Sequence, residues 1–219
     1  MNYSEVKKEV KKEVDLFLKP KGFKSKAMAD GCDFIKVDEF YTLNIGYGIS
    51  NYGDVFDTSC YISVSFLPID RIQQYVLCEN GGYGICSGTK KYFNDINYSY
   101  KITTISDVIE WGKIISNFYE EYAIHFFNKY NTLNSIDTLL NETPTKNVVF
   151  LDDLGYRIIK GLIAAKLNNN PKYNELRDYY KSEVESKFQG YFMYPKCMKV
   201  IEFLDSHSYE EIITISETV

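Results

Sequence analysis

The segment 78–91, CENGGYGICSGTKK, combines residue types that could bind a phosphate group or a metal ion. A P-loop requires the pattern G-x-x-x-x-G-K-[ST], and here a threonine stands where the lysine must follow the last glycine. The dinucleotide fingerprint G-x-G-x-x-G is matched at Gly82 and Gly84, but Ser87 occupies its third glycine position. The surrounding sequence also lacks a β-α-β pattern. We therefore expect no nucleotide site and no cofactor in this segment.

The cysteines could hold a metal or form disulfides, so their number and spacing matter. There are five, an odd number, and no two form a C-x-x-C pair; they are Cys32, Cys60, Cys78, Cys86 and Cys197. A tetrahedral zinc site needs four ligands, and neither histidine is close in sequence to Cys78 or Cys86. The pattern predicts reduced, mostly buried thiols and no metal site.

A histidine and a glutamate one helical turn apart, His125 and Glu121, could act as a general acid–base pair. They lie in a segment with helical apolar spacing, next to the aromatic residues Phe126 and Phe127. A histidine in such surroundings is more often a packing residue than a catalytic one. The pair supports an alternative hypothesis, an enzyme of unrecognised type, while the main interpretation contains no catalytic residue.

Charge and aromatic content indicate the kind of partner. The chain of 219 residues has a net charge of −5, with 20 tyrosines, 14 phenylalanines and one tryptophan. Residues 1–26 carry eight lysines against four acidic residues, a net +4, so the remainder carries −9. Nucleic-acid affinity comes from neutralising phosphates, which an acidic body opposes, so we expect no nucleic-acid partner. An acidic surface rich in tyrosine favours a basic protein partner.

The first part of the chain reads as a helix followed by strands. Apolar residues spaced by three or four predict an amphipathic helix over residues 4–18, with Ser4 as its N-cap and Pro20 as its stop. The segments YTLNIGYGI at 41–49 and YISVSF at 61–66 alternate between two residue classes, as antiparallel strands with one buried face do. Further strand candidates are FKSKAMA, DFIKVD and NYSYKIT.

From Ser106 onward the apolar period changes to 3.6, which predicts a long helix and several later ones. Pro144 ends one of these, and the last clear helix lies at about 195–206. Strands followed by helices without β-α alternation indicate an α+β fold, with an antiparallel sheet of about five strands. The predicted organisation is a helix-plus-sheet lobe over 1–104 and a helical lobe over 105–219, packed as one compact unit.

The glycine segment is best explained as a connection. Its upstream neighbour, 68–77, has apolar residues at helical spacing after a proline, so we predict a short helix there. Asn80 and the glycines after it then form the left-handed end of that helix. If 68–77 were a strand, Asn80-Gly81 would be a tight hairpin turn.

The sequences FLKPKGFKSK after an amphipathic helix and HFFNKYNTLNSIDTLL after the strands resemble a family of uncharacterised bacterial α+β domains. In that family a helix ending in Leu-Lys-Pro-x-Gly-Phe leads into an antiparallel sheet. The resemblance spans residues 6–140, and the chain departs from it by lacking a tryptophan-rich segment near residues 92–93. Some relatives look like immunity proteins of bacterial toxin systems, which implies function by binding. The resemblance implies no catalytic residue.

The sequence therefore predicts a bacterial cytoplasmic protein that binds another protein, as an immunity protein that occludes a basic toxin does. No apolar run reaches the roughly 18 residues that span a bilayer, so no membrane contact is expected. Loop and strand-end residues are the predicted contacts: Tyr47, Tyr52, Asp54, Asp57 and Tyr83. A structural accessory subunit is a further alternative, because it would use the same surface without a toxin.

Overall fold

The computed structural model describes residues 1–79, 84–88, 100–148, 150–151 and 153–218, and it shows an α+β fold with a six-stranded antiparallel sheet. The strands are β1 Lys24–Ala27, β2 Gly31–Val37, β3 Tyr41–Asn51, β4 Phe56–Phe66, β5 Ile85–Gly88 and β6 Tyr100–Ile102. The sheet order is β1-β2-β3-β4-β5, with β6 paired to β4. The predicted fold class is confirmed, although β5 was not predicted because it is short and lies inside the glycine segment.

The α-helices precede and follow the strands as the apolar periodicity indicates. They are α1 Tyr3–Leu18, α2 Leu67–Leu77, α3 Ile105–Phe118, α4 Ile124–Lys129, α5 Leu133–Asn141, α6 Leu154–Leu167, α7 Tyr173–Lys187, α8 Met193–Ser206 and α9 Tyr209–Thr218. The helix predicted at 68–77 is therefore present as α2. It ends at Cys78, whose left-handed φ of 56° closes it, while Asn80 and the two glycines that follow lie outside the described residues.

The chain folds into two compact units. The sheet unit comprises Met1–Asp38, Thr42–Val64 and Cys86–Asn128, and the helical unit comprises Glu39–Tyr41, Ser65–Ile85 and Lys129–Val219. The division predicted between residues 104 and 105 falls inside the sheet unit, because α3 packs against α1 rather than joining the later helices.

Helix α1 is amphipathic as predicted, but its cap differs. Asn2, not Ser4, is the N-cap: its side chain accepts a hydrogen bond from the Glu5 backbone N–H at 3.0 Å, and Glu5 accepts one from the Asn2 N–H at 2.9 Å. This capping box satisfies backbone donors that the first turn leaves unpaired. One stripe of α1 is fully buried, namely Val6, Val10, Val14 and Leu18. Beyond the helix, Gly22 reverses the chain with a φ of 90°.

The sheet unit has a buried inner face and a polar outer face, as the period-two patterns predict. On the inner face, Phe34 of β2 pairs with Ile45 of β3, and both side chains are buried. On the outer face, Asp33 pairs with Gly46 one position away. Because side chains alternate along a strand, this register decides which residues reach the outside.

The long helix predicted from Ser106 is present but interrupted. Thr104, not Ser106, is its cap and forms a capping box with Asp107. Between α3 and α4 the chain makes a π-turn over Tyr119–Ala123, closed by a hydrogen bond from the Ile124 N–H to the Tyr119 carbonyl. The apolar period continues through this segment, so the sequence gives no sign of the extra residue in the turn.

The helical unit is built around α6, in which most residues are buried. This helix begins at Asp153, whose side chain accepts a hydrogen bond from the Tyr156 N–H at 3.0 Å. It packs against α2, α5, α7 and α8. The C-terminal segment Tyr209–Thr218 forms α9, which packs against α2. In the described part of the chain, no helix is both long enough and apolar enough to cross a membrane.

Candidate binding surface on the outer face of the sheet

The outer face of the sheet unit combines one aromatic ring with small and polar residues. We define it by Asp33, Asn44, Gly46, Asp57, Ser59 and Tyr61. Strand β4 supplies three of these, since its alternate residues Phe56, Cys60 and Ile62 are buried on the inner face. Tyrosine, serine, glycine and asparagine are the residue types that binding loops of antibodies use most. The composition therefore suits contact with another protein.

Tyr61 is the large side chain at the centre of this face, and its ring lies directly on Gly46. A Cβ atom added to Gly46 would be 2.2 Å from the Cζ atom of Tyr61, closer than any real contact. Glycine at this position thus makes room for the ring. The side chain of Tyr61 nevertheless remains 38% exposed. The ring is seated on the sheet without being buried.

A hydrogen bond also fixes the hydroxyl of the same ring. The Tyr61 hydroxyl donates to Oδ1 of Asp33 over 2.6 Å. Partial burial, and then this bond, raise the pKa of Tyr61 well above its usual value, while a hydrogen bond from the Asn44 side chain acts in the opposite direction. The phenol therefore stays protonated and keeps donating at physiological pH. The hydroxyl end of the ring is thus held both by Gly46 beneath it and by the hydrogen bond to Asp33.

The turn between β3 and β4 presents the exposed tyrosine and aspartate that the sequence indicated. Tyr52 is 70% exposed, and Asp54 is exposed next to it. Gly53 between them has a left-handed φ of 85°, and its N–H donates to the Asn51 side chain at 3.0 Å. The Tyr52 N–H donates to the Val55 carbonyl at 2.9 Å. These bonds fix the turn that leads into β4.

The remaining predicted contacts have different positions. Tyr47 lies on the inner face, is only 5% exposed and packs 6.2 Å from the ring of Phe34, so it offers a partner nothing to contact. Asp57 is on the outer face, opposite Lys101 in the β4–β6 pair. Tyr83 lies outside the described residues. Of the predicted contacts, Asp57 belongs to the outer face, Tyr52 and Asp54 are exposed in the turn that precedes β4, and Tyr47 is left out.

The two residues of the alternative catalytic pair lie on different elements of the structure. Glu121 lies within the π-turn and His125 lies on α4, and both side chains are exposed. The π-turn shifts their relative positions from those of a regular helix. The prediction of an acid–base pair rested on regular α-helical spacing, which this segment does not have.

Metal-binding and redox chemistry have little support among the described residues. No group of three histidine, cysteine or acidic side chains there could hold a metal ion. The five cysteines form no disulfide; Cys32, Cys60 and Cys197 are buried, while Cys78 and Cys86 are exposed. Burial raises the pKa of the Cys32 and Cys197 thiols, which keeps them protonated and unreactive.

Sequence reasoning missed Tyr61, although a signal for it was present. In YISVSF the apolar residues Ile62 and Val64 mark the inner face, so the same alternation places Tyr61 outside. A tyrosine at an outward strand position is the kind of residue that binding surfaces use. The contacts of Tyr61 with Asp33 and Gly46 could not be predicted from this alternation, because strand pairing brings the three residues together.

Comparison of the chain with protein-family models, with curated protein sequences and with solved structures finds no match. The geometry of the outer face is therefore the main guide to function.

Proposed function

We propose that this chain is a protein-binding protein and that the outer face of its sheet contacts the partner. The observation that carries the proposal is Tyr61, an exposed ring held on Gly46 and bonded to Asp33 at 2.6 Å. A side chain that binds loses rotational freedom, and one already fixed loses less. Tyrosine is also among the residues that contribute most to binding energy at interfaces.

The charge of the chain supports a basic partner. Outside residues 1–26 the net charge is −9. Asp57 lies on the same face of β4 as Tyr61, and Asp54 is exposed in the turn that precedes this strand. Lys101 opposite Asp57 moderates the charge locally. Carboxylates around an aromatic contact steer a basic protein towards it and set its orientation.

A narrower form of the proposal is that the partner is a toxin and that the chain neutralises it in the cytoplasm by occlusion. The sequence resemblance to immunity-like domains supports this form. Co-expression of a captured partner with and without this chain tests it. The narrower form requires that the partner alone arrests growth and that the chain restores it.

Affinity capture from the native host at low salt tests the general proposal. The intact chain is expected to retain a basic protein in equimolar amount, and Tyr61→Ala is expected to weaken that complex by about 2 kcal/mol, about 30-fold in Kd. Tyr209→Ala is the matched control, because Tyr209 is also a partly exposed tyrosine, at 39%, but lies in the helical unit.

Two results would refute the proposal. One is that no stoichiometric partner is retained at low salt. The other is that Tyr61→Ala and Tyr209→Ala weaken the complex equally, which would place the contact elsewhere. Circular dichroism of both variants checks that each is folded before binding is compared.

A further inference from the structure

The exposed side of α1 forms a second surface within the sheet unit, which we call the basic groove. It is a shallow depression lined by Lys8, Lys11, Lys12, Asp15, Leu16, Lys19 and Pro20. It belongs to the segment whose net charge of +4 contrasts with the −9 of the remaining chain. Four lysines thus lie within about three turns of one helix, since a turn contains 3.6 residues.

Asp15 fixes two of these lysines. Its Oδ2 atom accepts from the Lys11 ammonium at 2.5 Å and from the Lys19 ammonium at 2.9 Å. Burial raises the pKa of Asp15, but the hydrogen bonds from the two lysines outweigh it and lower the pKa below its usual value. Asp15 therefore remains a carboxylate that holds Lys11 and Lys19 in place.

The other two lysines of the groove are less restrained. Lys12 approaches Glu9 at 3.3 Å with its side chain 63% exposed, and Lys8 makes no ion pair with any described residue. Lys8 and Lys12 lie one helical turn apart, so their ammonium groups flank the same stretch of surface. They can bind a carboxylate without first breaking a strong internal bond.

The centre of the groove is apolar. Leu16 is 67% exposed, although leucine normally prefers burial, and Pro20 is exposed one helical turn later. The methylene stems of the lysines add apolar surface around both residues, with the charges at the rim. A complementary ligand therefore presents an apolar side chain flanked by negative charges.

We propose that the basic groove binds an acidic segment of a second protein, in which an apolar side chain lies between carboxylates. The charge of the groove, its exposed leucine and the arrangement of its lysines all match that chemistry. This surface is separate in sequence and position from the outer face of the sheet, so the two proposals do not depend on each other.

The same observations disfavour other anionic ligands. The described residues that line the groove include no aromatic ring for base stacking and no arginine for bidentate phosphate contacts, and the acidic body repels a polyanion. A membrane-surface helix needs a broad apolar face, whereas the apolar stripe of α1 is buried in the sheet unit. Among the described residues that line the groove, only Leu16 and Pro20 are exposed apolar residues available for insertion.

Fluorescence anisotropy with a short labelled peptide tests the proposal. The peptide contains glutamates with a leucine at intervals of one helical turn, and the full chain is titrated at low and at moderate salt. Reversing two charges in Lys8→Glu/Lys12→Glu is expected to weaken binding by about tenfold or more. Leu16→Ser leaves the charge unchanged and is expected to weaken it by about threefold, because apolar contact is lost.

The matched control is Lys172→Glu/Lys181→Glu, which makes the same charge change at two exposed lysines of the helical unit. Equal weakening in both double variants, or no binding of the peptide to the intact chain, would overturn the proposal. Tighter binding of polyuridine RNA or of phosphatidylserine vesicles through the groove would overturn it as well. Retention of the captured basic partner by Lys8→Glu/Lys12→Glu shows that the variant is folded and that the outer face works independently.

Discussion

Two polar pairs, one in each unit, join side chains that are distant in sequence but differ in exposure. In the helical unit, Lys160 of α6 forms an ion pair with Asp70 of α2, and the two residues are 4% and 7% exposed. In the sheet unit, the hydroxyl of Tyr61 donates to Asp33 on an exposed surface. The first pair brings charge into a core, whereas the second holds an aromatic ring at the protein surface.

The difference indicates what each pair contributes. Removing two charges from water costs free energy that their attraction only partly returns, so the buried pair adds little net stability while strictly requiring both partners. The exposed pair loses little solvation and adds little to stability, but it fixes the orientation of Tyr61. We therefore expect substitutions in the helical unit to affect folding, and substitutions on the outer face to affect binding.

The largest effect is expected from breaking the buried pair. Lys160→Met leaves Asp70 as a buried carboxylate without its counter-charge, and we expect the free energy of unfolding to fall by about 3–5 kcal/mol. The double variant Asp70→Leu/Lys160→Met removes both charges and is expected to recover most of that loss, to within about 1–2 kcal/mol of the original chain. Urea denaturation followed by circular dichroism measures both.

Lys113→Met is the control for this comparison. Its ion pair with Glu110 spans 3.2 Å on the surface of α3, with both side chains more than half exposed, so its loss is expected to cost about 0.5 kcal/mol or less. If Lys160→Met costs no more than Lys113→Met, or if the double variant is as unstable as the single one, the contrast between the two pairs is wrong.

Part of the difference between the two polar pairs can be predicted from the sequence. The period-two and 3.6-residue patterns were sufficient to predict the α+β fold, α1, α2 and the principal strands. A lysine inside the apolar segment of α6 also signals a buried charge that needs a partner. The identity of that partner, Asp70, depends on how α2 packs against α6, which no local pattern specifies.

The candidate site was predictable to a smaller extent. The exposure of Tyr52 and Asp54 was predictable because turn residues are recognisable from sequence, whereas Tyr47 was misplaced although its own strand alternation puts it inside. The support of Tyr61 involves Asp33, 28 positions earlier, and a register that brings Gly46 beneath the ring. Strand register follows from the packing of whole faces, so sequence alone could not supply it.

Gly46→Ala is expected to lower the free energy of unfolding less than Lys160→Met does, but to change the position of the Tyr61 ring. The added methyl group would overlap the Tyr61 ring, which must move and break its bond to Asp33. Because that ring is the exposed end of a side chain, the cost in unfolding free energy is expected to be about 1 kcal/mol or less. The NMR signals of the Tyr61 ring should shift, and partner affinity should fall as in Tyr61→Ala.

Gly48→Ala is the matched control, since a Cβ atom there meets nothing within 4 Å and the residue lies on the same strand. It should leave both the ring signals and the affinity unchanged. Unaltered Tyr61 signals in Gly46→Ala would show that Gly46 does not seat the ring, and equal effects of the two alanines would show that strand propensity is responsible.

The smallest effect is expected from a comparison of buried and exposed thiols. Burial raises the pKa of Cys197 in the helical unit to about 12, and its Sγ contacts the Gly155 carbonyl at 3.7 Å, whereas Cys86 on β5 is exposed. A raised pKa means that the folded state holds the proton more tightly. The associated stability is thus complete below pH 9, the ordinary thiol pKa, and is lost as the pH rises towards 12.

In mildly alkaline buffer, a thiol reagent should modify Cys78 and Cys86 quickly and Cys197 only after unfolding in urea, with mass spectrometry assigning the sites. Modification of Cys197 in the folded chain at the rate of Cys86 would contradict the packing of α8 against α6.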